Sequence, residues 1–249
     1  MKRKLWFYVI IGALFFCICF AYCTKQKSSD ITTVTDIDGN DYNIVTIGSQ
    51  VWMAENLKVT KYNDNTTIPL ITDNSTWTTL TTSAYCWYNN DLVNKSKYGA
   101  LYNWFAVASV SNGGKNICPK GWHIPTDAQW TILTNYLTKN GYGYAGNESL
   151  LAKSMAATSG WDNPGIYGTA DNIGIDQAIN NSSGFTALPG GYRFIDGGYY
   201  NYLDYGLWWS TTESSSAKAW NLTMYYNDGR VYRNDLVKNW GCSVRCLHD

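Results

Sequence analysis

Cys242 and Cys246 stand four residues apart in the closing stretch WGCSVRC. On a strand rising about 3.3 Å per residue they would lie about 13 Å apart, beyond the reach of a disulfide. Neither can then bond the other. Their spacing puts both on one strand face with Val244 between them, a face expected to point inward. If they pair at all, each must reach back across well over a hundred residues to Cys86 or Cys118. The end of the chain is therefore expected inside a core built by earlier segments, with two connectivities open.

Whether cysteines pair depends on the compartment, and residues 1–23 speak to that. MKRKLWFYVIIGALFFCICFAYC runs from Lys2, Arg3 and Lys4 through an apolar stretch, Leu5 to about Phe20, in the pattern of an export signal. Outside the cytosol, the four cysteines beyond this segment read as two disulfides. Cys23, followed by the polar TKQKSSD, resembles the acylated cysteine of a bacterial lipoprotein signal, although Tyr22 stands where such signals carry a small residue. The expectation is an exported protein, lipid-anchored through Cys23 at the outer membrane or cell surface, with an uncleaved membrane anchor or ordinary signal cleavage as the alternatives. Residues 24–34 read as a polar tether and residues 35–249 as one domain.

The 19 basic and 19 acidic residues balance, so no net field would concentrate nucleic acid, which is excluded as an expected partner. Aromatic residues make up 16% of the chain, with 20 Tyr and 12 Trp. That is too many for a disordered chain and suggests rigid amphipathic contact surface.

Along the chain, a turn at Asp38-Gly39 precedes a strand through Tyr42, Ile44 and Val45, and a Gly48-Ser49 turn returns it through Val51 and Met53. Leu101, Trp104, Phe105 and Ala108 recur at helical spacing and predict a short helix. In CPKGWHIPTDAQWTILTNYLTKNG, Thr126 and Gln129 form a capping box that opens a second helix. Trp130, Leu133, Tyr136 and Leu137 would be its buried stripe and Gly141 its stop. Residues 147–157 are a weaker helical candidate, and 159–183 read as a long Gly/Asn/Asp-rich loop. Strand-like runs follow in GFTALPGGYR, GLWWSTTE, AWNLTMYY and RVYRN, with a turn at Asn227-Asp228-Gly229, then CSVRCLHD.

Taken in order, VTDIDGNDYNIVTIGSQVWMAENLKVTKYND, YCWYNND, YGALYNWFAV, CPKGWHIPTDAQWTIL, GFTALPGGYR, WWSTTE and CSVRCLHD resemble the Fibrobacter succinogenes major paralogous domain family, from about Thr35 to Asp249. Members are found on secreted or lipid-anchored bacterial proteins, and the resemblance implies no particular activity. More distantly, HIPTDAQW and GCSVRC are similar to landmarks of formylglycine-generating-enzyme-type domains. That similarity implies an α+β, C-type-lectin-like fold with two main helices, short antiparallel strands and a long loop region. It also implies a disulfide from Cys118 to Cys246, which leaves Cys86 for Cys242.

The chemistry of such relatives is poorly matched. Residues 219–239 hold no cysteine for a copper pair. In the calcium-lectin comparison, Leu188 replaces the acid and Leu222 the last ligand, leaving Asn221 as a strand residue. No cofactor is expected, with calcium around Asp162, Asp171 and Asp176 as the one alternative. His123 reads as a helix-entry residue and joins no metal set with His248. Asp204 and Glu213 invite a glycosidase pair whose separation decides the matter. The favoured reading is a non-catalytic surface module that binds a glycan or protein ligand. Its candidate contacts are Tyr199, Tyr200, Tyr202, Trp208 and Trp209, in a cluster with Tyr192 and Tyr205. The alternatives are a secreted enzyme of hydrolase type and a structural surface or fimbrial component.

Overall fold

The computed structural model describes residues 32–249, so the signal, the lipidation site at Cys23 and most of the tether lie outside the described residues. Strands β1 (Thr33–Thr35), β2 (Asp41–Ile47) and β3 (Gln50–Met53) form the opening meander. Helix α1 (Asn74–Thr78), strand β4 (Tyr85–Cys86), helix α2 (Val93–Tyr98) and strand β5 (Leu101–Tyr102) follow. Short α3 (Trp104–Val107) and α4 (Ser109–Asn112) lead through β6 (Trp122–His123) to α5 (Asp127–Lys139), then to α6 (Ala152–Met155). The second half supplies β7 (Tyr192–Arg193), β8 (Tyr199–Tyr200), β9 (Tyr205–Glu213), β10 (Lys218–Tyr225), β11 (Val231–Val237) and β12 (Leu247–His248).

These strands form a five-stranded sheet in the order β1-β2-β3-β12-β6, a three-stranded sheet β11-β10-β9, and the pairs β4-β5 and β7-β8. The β2-β3 turn is the two-residue link read at Gly48-Ser49, and Gly48 takes φ 63°, the positive value such a turn requires. A side chain there would also strike the ring of Tyr136. Tyr136 lies over this turn rather than in the buried stripe of α5, which is Trp130, Leu133 and Leu137. The α5 start matches its reading: Thr126 Oγ1 accepts from Gln129 N at 3.2 Å, and Gln129 Oε1 accepts from Thr126 N at 2.8 Å.

The two-helix, C-type-lectin-like arrangement is not what the chain forms. The fold is α+β with one substantial helix, α5, and several helices of one turn or little more. The helix read over Leu101–Ala108 is divided, because Leu101 and Tyr102 pair with Cys86 and Tyr85 as strand. Asn103 then starts a new turn, its side chain accepting from Ala106 N at 3.1 Å and from Ala84 N at 3.0 Å. The 147–157 candidate shrinks to the four residues of α6.

Strands β3 and β9 and the closing segment form a layer with core on both sides. Met53, Trp209 and Cys246 enter one apolar cluster, whereas Trp52, Trp208 and Leu247 enter another. Adjacent strand residues face opposite ways, so a strand buried on both faces carries consecutive large side chains. Arg245 lies within this layer, fully buried. Its guanidinium donates to the carbonyls of Phe185, Thr186 (2.7 Å) and Met53 (3.3 Å). Burial pushes its pKa down to about 9, which still leaves it cationic at neutral pH.

Cys118 and Cys246 are joined by a disulfide that closes a separation of 128 residues. The second expected bridge does not exist: Cys86 and Cys242 are free and buried. Strand β5 stands between them, with Cys86 opposite Leu101 on one side and Tyr102 opposite Cys242 on the other. Two strand spacings amount to about 10 Å, more than a disulfide spans. The two thiols also enter different apolar clusters. Burial raises the Cys86 pKa to about 11 and that of Cys242 well above its ordinary value. Both thiols are therefore expected to resist alkylation at pH 8 in the folded protein and to react once it is unfolded without reductant. Peptide mapping of the two alkylated samples checks this, and a thiol modified in the folded state would contradict it.

Candidate functional site: a solvent-facing aromatic tract

Among the described residues, no group of three His, Cys, Asp or Glu side chains comes together to hold a metal ion. In the loop read for calcium, Lys153 places its ammonium, donating to the carbonyls of Asn172 (3.0 Å) and Ile175. Asp204 immediately precedes β9 and Glu213 is its last residue, which separates them by roughly 30 Å, far beyond the spacing of glycosidase carboxylates. Glu213 instead accepts from Lys238 Nζ at 2.6 Å. His123 is held at both ring nitrogens, with Nδ1 at 2.6 Å from Asp249 at the far end of the chain and Nε2 accepting from nearby Gln129 at 2.8 Å.

The sequence-predicted aromatics are divided among different places. Trp208 and Trp209 are both 0% exposed, and their indole N–H groups donate to Asn56 Oδ1 and to the Tyr102 carbonyl, each at 2.8 Å. Neither presents ring surface to a ligand. In β8, neighbouring side chains alternate across the strand. Tyr199 turns toward Arg193 and Tyr88, donating to Asn90 Oδ1 at 2.7 Å. Tyr200 turns outward and is 42% exposed. Tyr202 stacks on Tyr88 at 4.8 Å and donates to Asn94 Oδ1.

Tyr200 belongs to a larger array. It lies 6.0 Å from Tyr192 and 6.0 Å from Phe194, with a shallow pocket of about 280 Å³ among these rings and Asp196. Tyr192 stacks on Trp240 at 4.6 Å and lies 6.3 Å from Tyr205. Tyr205 meets its cross-strand partner Tyr225 at 4.5 Å, and Tyr225 meets Tyr232 at 5.1 Å. Seven rings thus run unbroken from the β7-β8 hairpin across β9, β10 and β11, and none is fully buried. Tyr192, Tyr205 and Trp240 rest on the core beneath. Sequence reading had grouped Tyr192, Tyr200 and Tyr205, but missed Phe194, Tyr225, Tyr232 and Trp240.

Polar groups line the rings. Tyr200 donates to Asp196 Oδ2 at 2.8 Å, Asn201 donates to the Tyr192 hydroxyl at 3.3 Å, and Tyr232 donates to Asp228 Oδ2 at 2.6 Å. Burial pushes Tyr192 up to about 12. Burial and the Asp228 hydrogen bond do the same for Tyr232. These phenols stay neutral donors at physiological pH. Burial works against the Asp228 carboxylate, but hydrogen bonds from Arg230 and Tyr232 outweigh it and hold its pKa at about 2. A depressed acid stabilises the fold above its unfolded value near 4 and loses that contribution as pH falls toward 2. Asp228→Asn is therefore expected to flatten the stability profile between about pH 4 and 2, read by thermal unfolding across that range. An unaltered profile would contradict the coupling.

Another cavity, of about 350 Å³, lies between α5 and the opposite face of the three-stranded sheet, lined by Trp130, Thr134, Leu222 and Arg233 among others, with Tyr232 at its border. Arg233 is spoken for: it grips both oxygens of Asp127 at 2.6 and 2.8 Å and stacks on Trp220.

The family model for the Fibrobacter succinogenes major domain matches residues 45–248. The chain belongs to this family. Neither a curated protein nor a solved structure matches it. The matched region of this Fibrobacter succinogenes major domain contains all seven rings of the tract and both cysteines of the disulfide.

Proposed function

We propose that the protein is an exported binding module, anchored through Cys23 at the outer membrane or cell surface, that engages a glycan or protein ligand without chemistry. The observation that carries this reading is the tract from Phe194 and Tyr200 to Tyr232, because ring surface held in place by neighbouring rings binds at low entropic cost. The basic, apolar and cysteine order of residues 1–23 supports export and anchoring.

Residues 32–249 displayed against arrays of glycans and of extracellular proteins should bind a member of one class. The Tyr200→Ala and Tyr225→Ala variants should each weaken that binding by about tenfold, the scale of an aromatic hot spot, while unfolding at nearly the wild-type temperature. Undiminished binding by both folded variants would place the site elsewhere. For anchoring, Cys23→Ser in the full chain should abolish lipid labelling in a bacterial host, and persistent labelling would contradict it.

A further inference from the structure

Four cations border the tract in sequence, and each is committed elsewhere; Arg233, next to Tyr232, is held by Asp127. Arg193, between Tyr192 and Phe194, is fully buried, and its guanidinium donates to Gly197 O, Ile71 O, Thr72 O and Asn74 Oδ1. Arg230, whose guanidinium lies 5.1 Å from the Tyr232 ring, gives its Nε and one terminal nitrogen to Asp228 at 3.0 and 2.7 Å. Lys238, two residues before Trp240, is buried and donates to Glu213 and Ser216. Among the described residues, an anionic ligand would therefore meet no unpaired cation next to these rings in sequence. It would meet the exposed Asp196 carboxylate instead.

The groups that remain are of another kind. They are phenol hydroxyls, the amides of Asn201 and Asn234, and the exposed Asp196 carboxylate at one end, whereas Asp228 is filled by Arg230 and Tyr232. Carboxylate and amide oxygens accept from hydroxyls, while amide N–H groups donate to them, so this set suits a ligand rich in neutral hydroxyls. Leu92, Val93, Val110 and Ile166, the most exposed aliphatic side chains among the described residues, do not belong to the tract, and of the other exposed aliphatics only Ile195, at 37%, adjoins its rings in sequence. Its apolar surface is mainly ring, which suits the C–H faces of sugars better than the mixed aliphatic and aromatic side chains of a protein partner. The rings also form a row. Successive steps from Tyr200 through Tyr192, Tyr205 and Tyr225 to Tyr232 are 6.0, 6.3, 4.5 and 5.1 Å, each close to the size of one sugar ring.

We infer that the tract binds a neutral, extended glycan chain, with successive sugars lying along the row from Tyr200 to Tyr232. This rests on the reading of the tract as the binding surface and narrows its ligand to one class. The paired cations and the exposed Asp196 carboxylate disfavour uronate-rich and sulfated chains in the same place.

The test is titration calorimetry of residues 32–249 with neutral gluco-, xylo- and manno-hexasaccharides, the corresponding disaccharides, and the anionic polygalacturonate and heparin. At least one neutral hexasaccharide should bind, more tightly than its disaccharide by about tenfold or more, because the longer chain covers more rings. Tyr200→Ala and Tyr225→Ala, at the two halves of the row, should each weaken it about tenfold. Binding should persist at high salt, since no ion pair is made. The inference is overturned if only the anionic polymers bind, if no glycan binds, or if hexasaccharide and disaccharide bind alike. It is also overturned if both folded tyrosine variants bind as wild type. Should a protein ligand bind through the same tyrosines while every glycan fails, the glycan inference falls and the tract remains the binding surface.

Discussion

Replacing both partners of the disulfide, Cys118→Ala with Cys246→Ala, is expected to lower the unfolding free energy of residues 32–249 by about 4 to 5 kcal/mol. The bond closes 128 residues of chain, and the entropy it removes from the unfolded chain grows with the logarithm of that length. Both positions are fully buried, so alanine leaves the core apolar and the loss reflects the cross-link and a small cavity. The cross-link ties the segment ahead of α5 to the segment that runs between the two cores. Its absence should therefore weaken the whole fold rather than one edge. Urea unfolding under non-reducing conditions gives the measurement, and a loss below about 1 kcal/mol would mean that other contacts already hold the closing segment.

Arg245→Met should cost about 3 to 5 kcal/mol. A methionine fills much of the same volume but donates nothing. The carbonyls of Phe185, Thr186 and Met53 would then be left in the interior without this donor. Asn56 Oδ1, which also faces the guanidinium at 3.4 Å, would keep its bond from Trp208 Nε1. Among the described residues no carboxylate hydrogen-bonds the guanidinium, although the nearby Glu55 charge favours its cationic form, so the substitution chiefly strands acceptors. Thermal unfolding that changes by no more than a degree or two would contradict this account of the layer between the cores.

The parts of this fold that were legible in the sequence depend on neighbours in the chain. The capping box of Thr126 and Gln129 and the Gly48-Ser49 turn are local devices, and both formed as read. The Cys118–Cys246 bond was implied by resemblance and is present. The failures share a physical reason. Leu101, Trp104, Phe105 and Ala108 have helical spacing, but the spacing arose from a strand followed by a one-turn helix. The pairing of β5 with β4 and with Cys242 decided that, and Cys242 lies far away in sequence. Cys86 and Cys242 were matched by elimination, without knowledge that β5 would separate them. The run LWW at Leu207–Trp209 could have signalled a strand buried on both faces, because half-exposed strands alternate.

The tract was half legible for the same reason. Tyr192, Tyr200 and Tyr205 are close in sequence and suggested a cluster. Tyr225, Tyr232 and Trp240 join them only through the register of β9, β10 and β11, in which Tyr205 faces Tyr225 and Tyr232 faces Thr223. Within β8, the choice between Tyr199 and Tyr200 turned on which face of a two-residue strand met solvent.

The most direct measurement follows the tryptophan indole N–H signals of ¹⁵N-labelled residues 32–249 during titration with the neutral hexasaccharides. Trp240 is the only tryptophan of the tract and is partly exposed, whereas Trp130 and Leu222 line the cavity on the opposite face and Trp208 and Trp209 are buried. The account predicts that the Trp240 signal shifts in a saturable way while those of Trp130, Trp208 and Trp209 stay in place. A saturable shift of Trp130 with Trp240 unmoved would contradict it and place binding in the cavity beside α5.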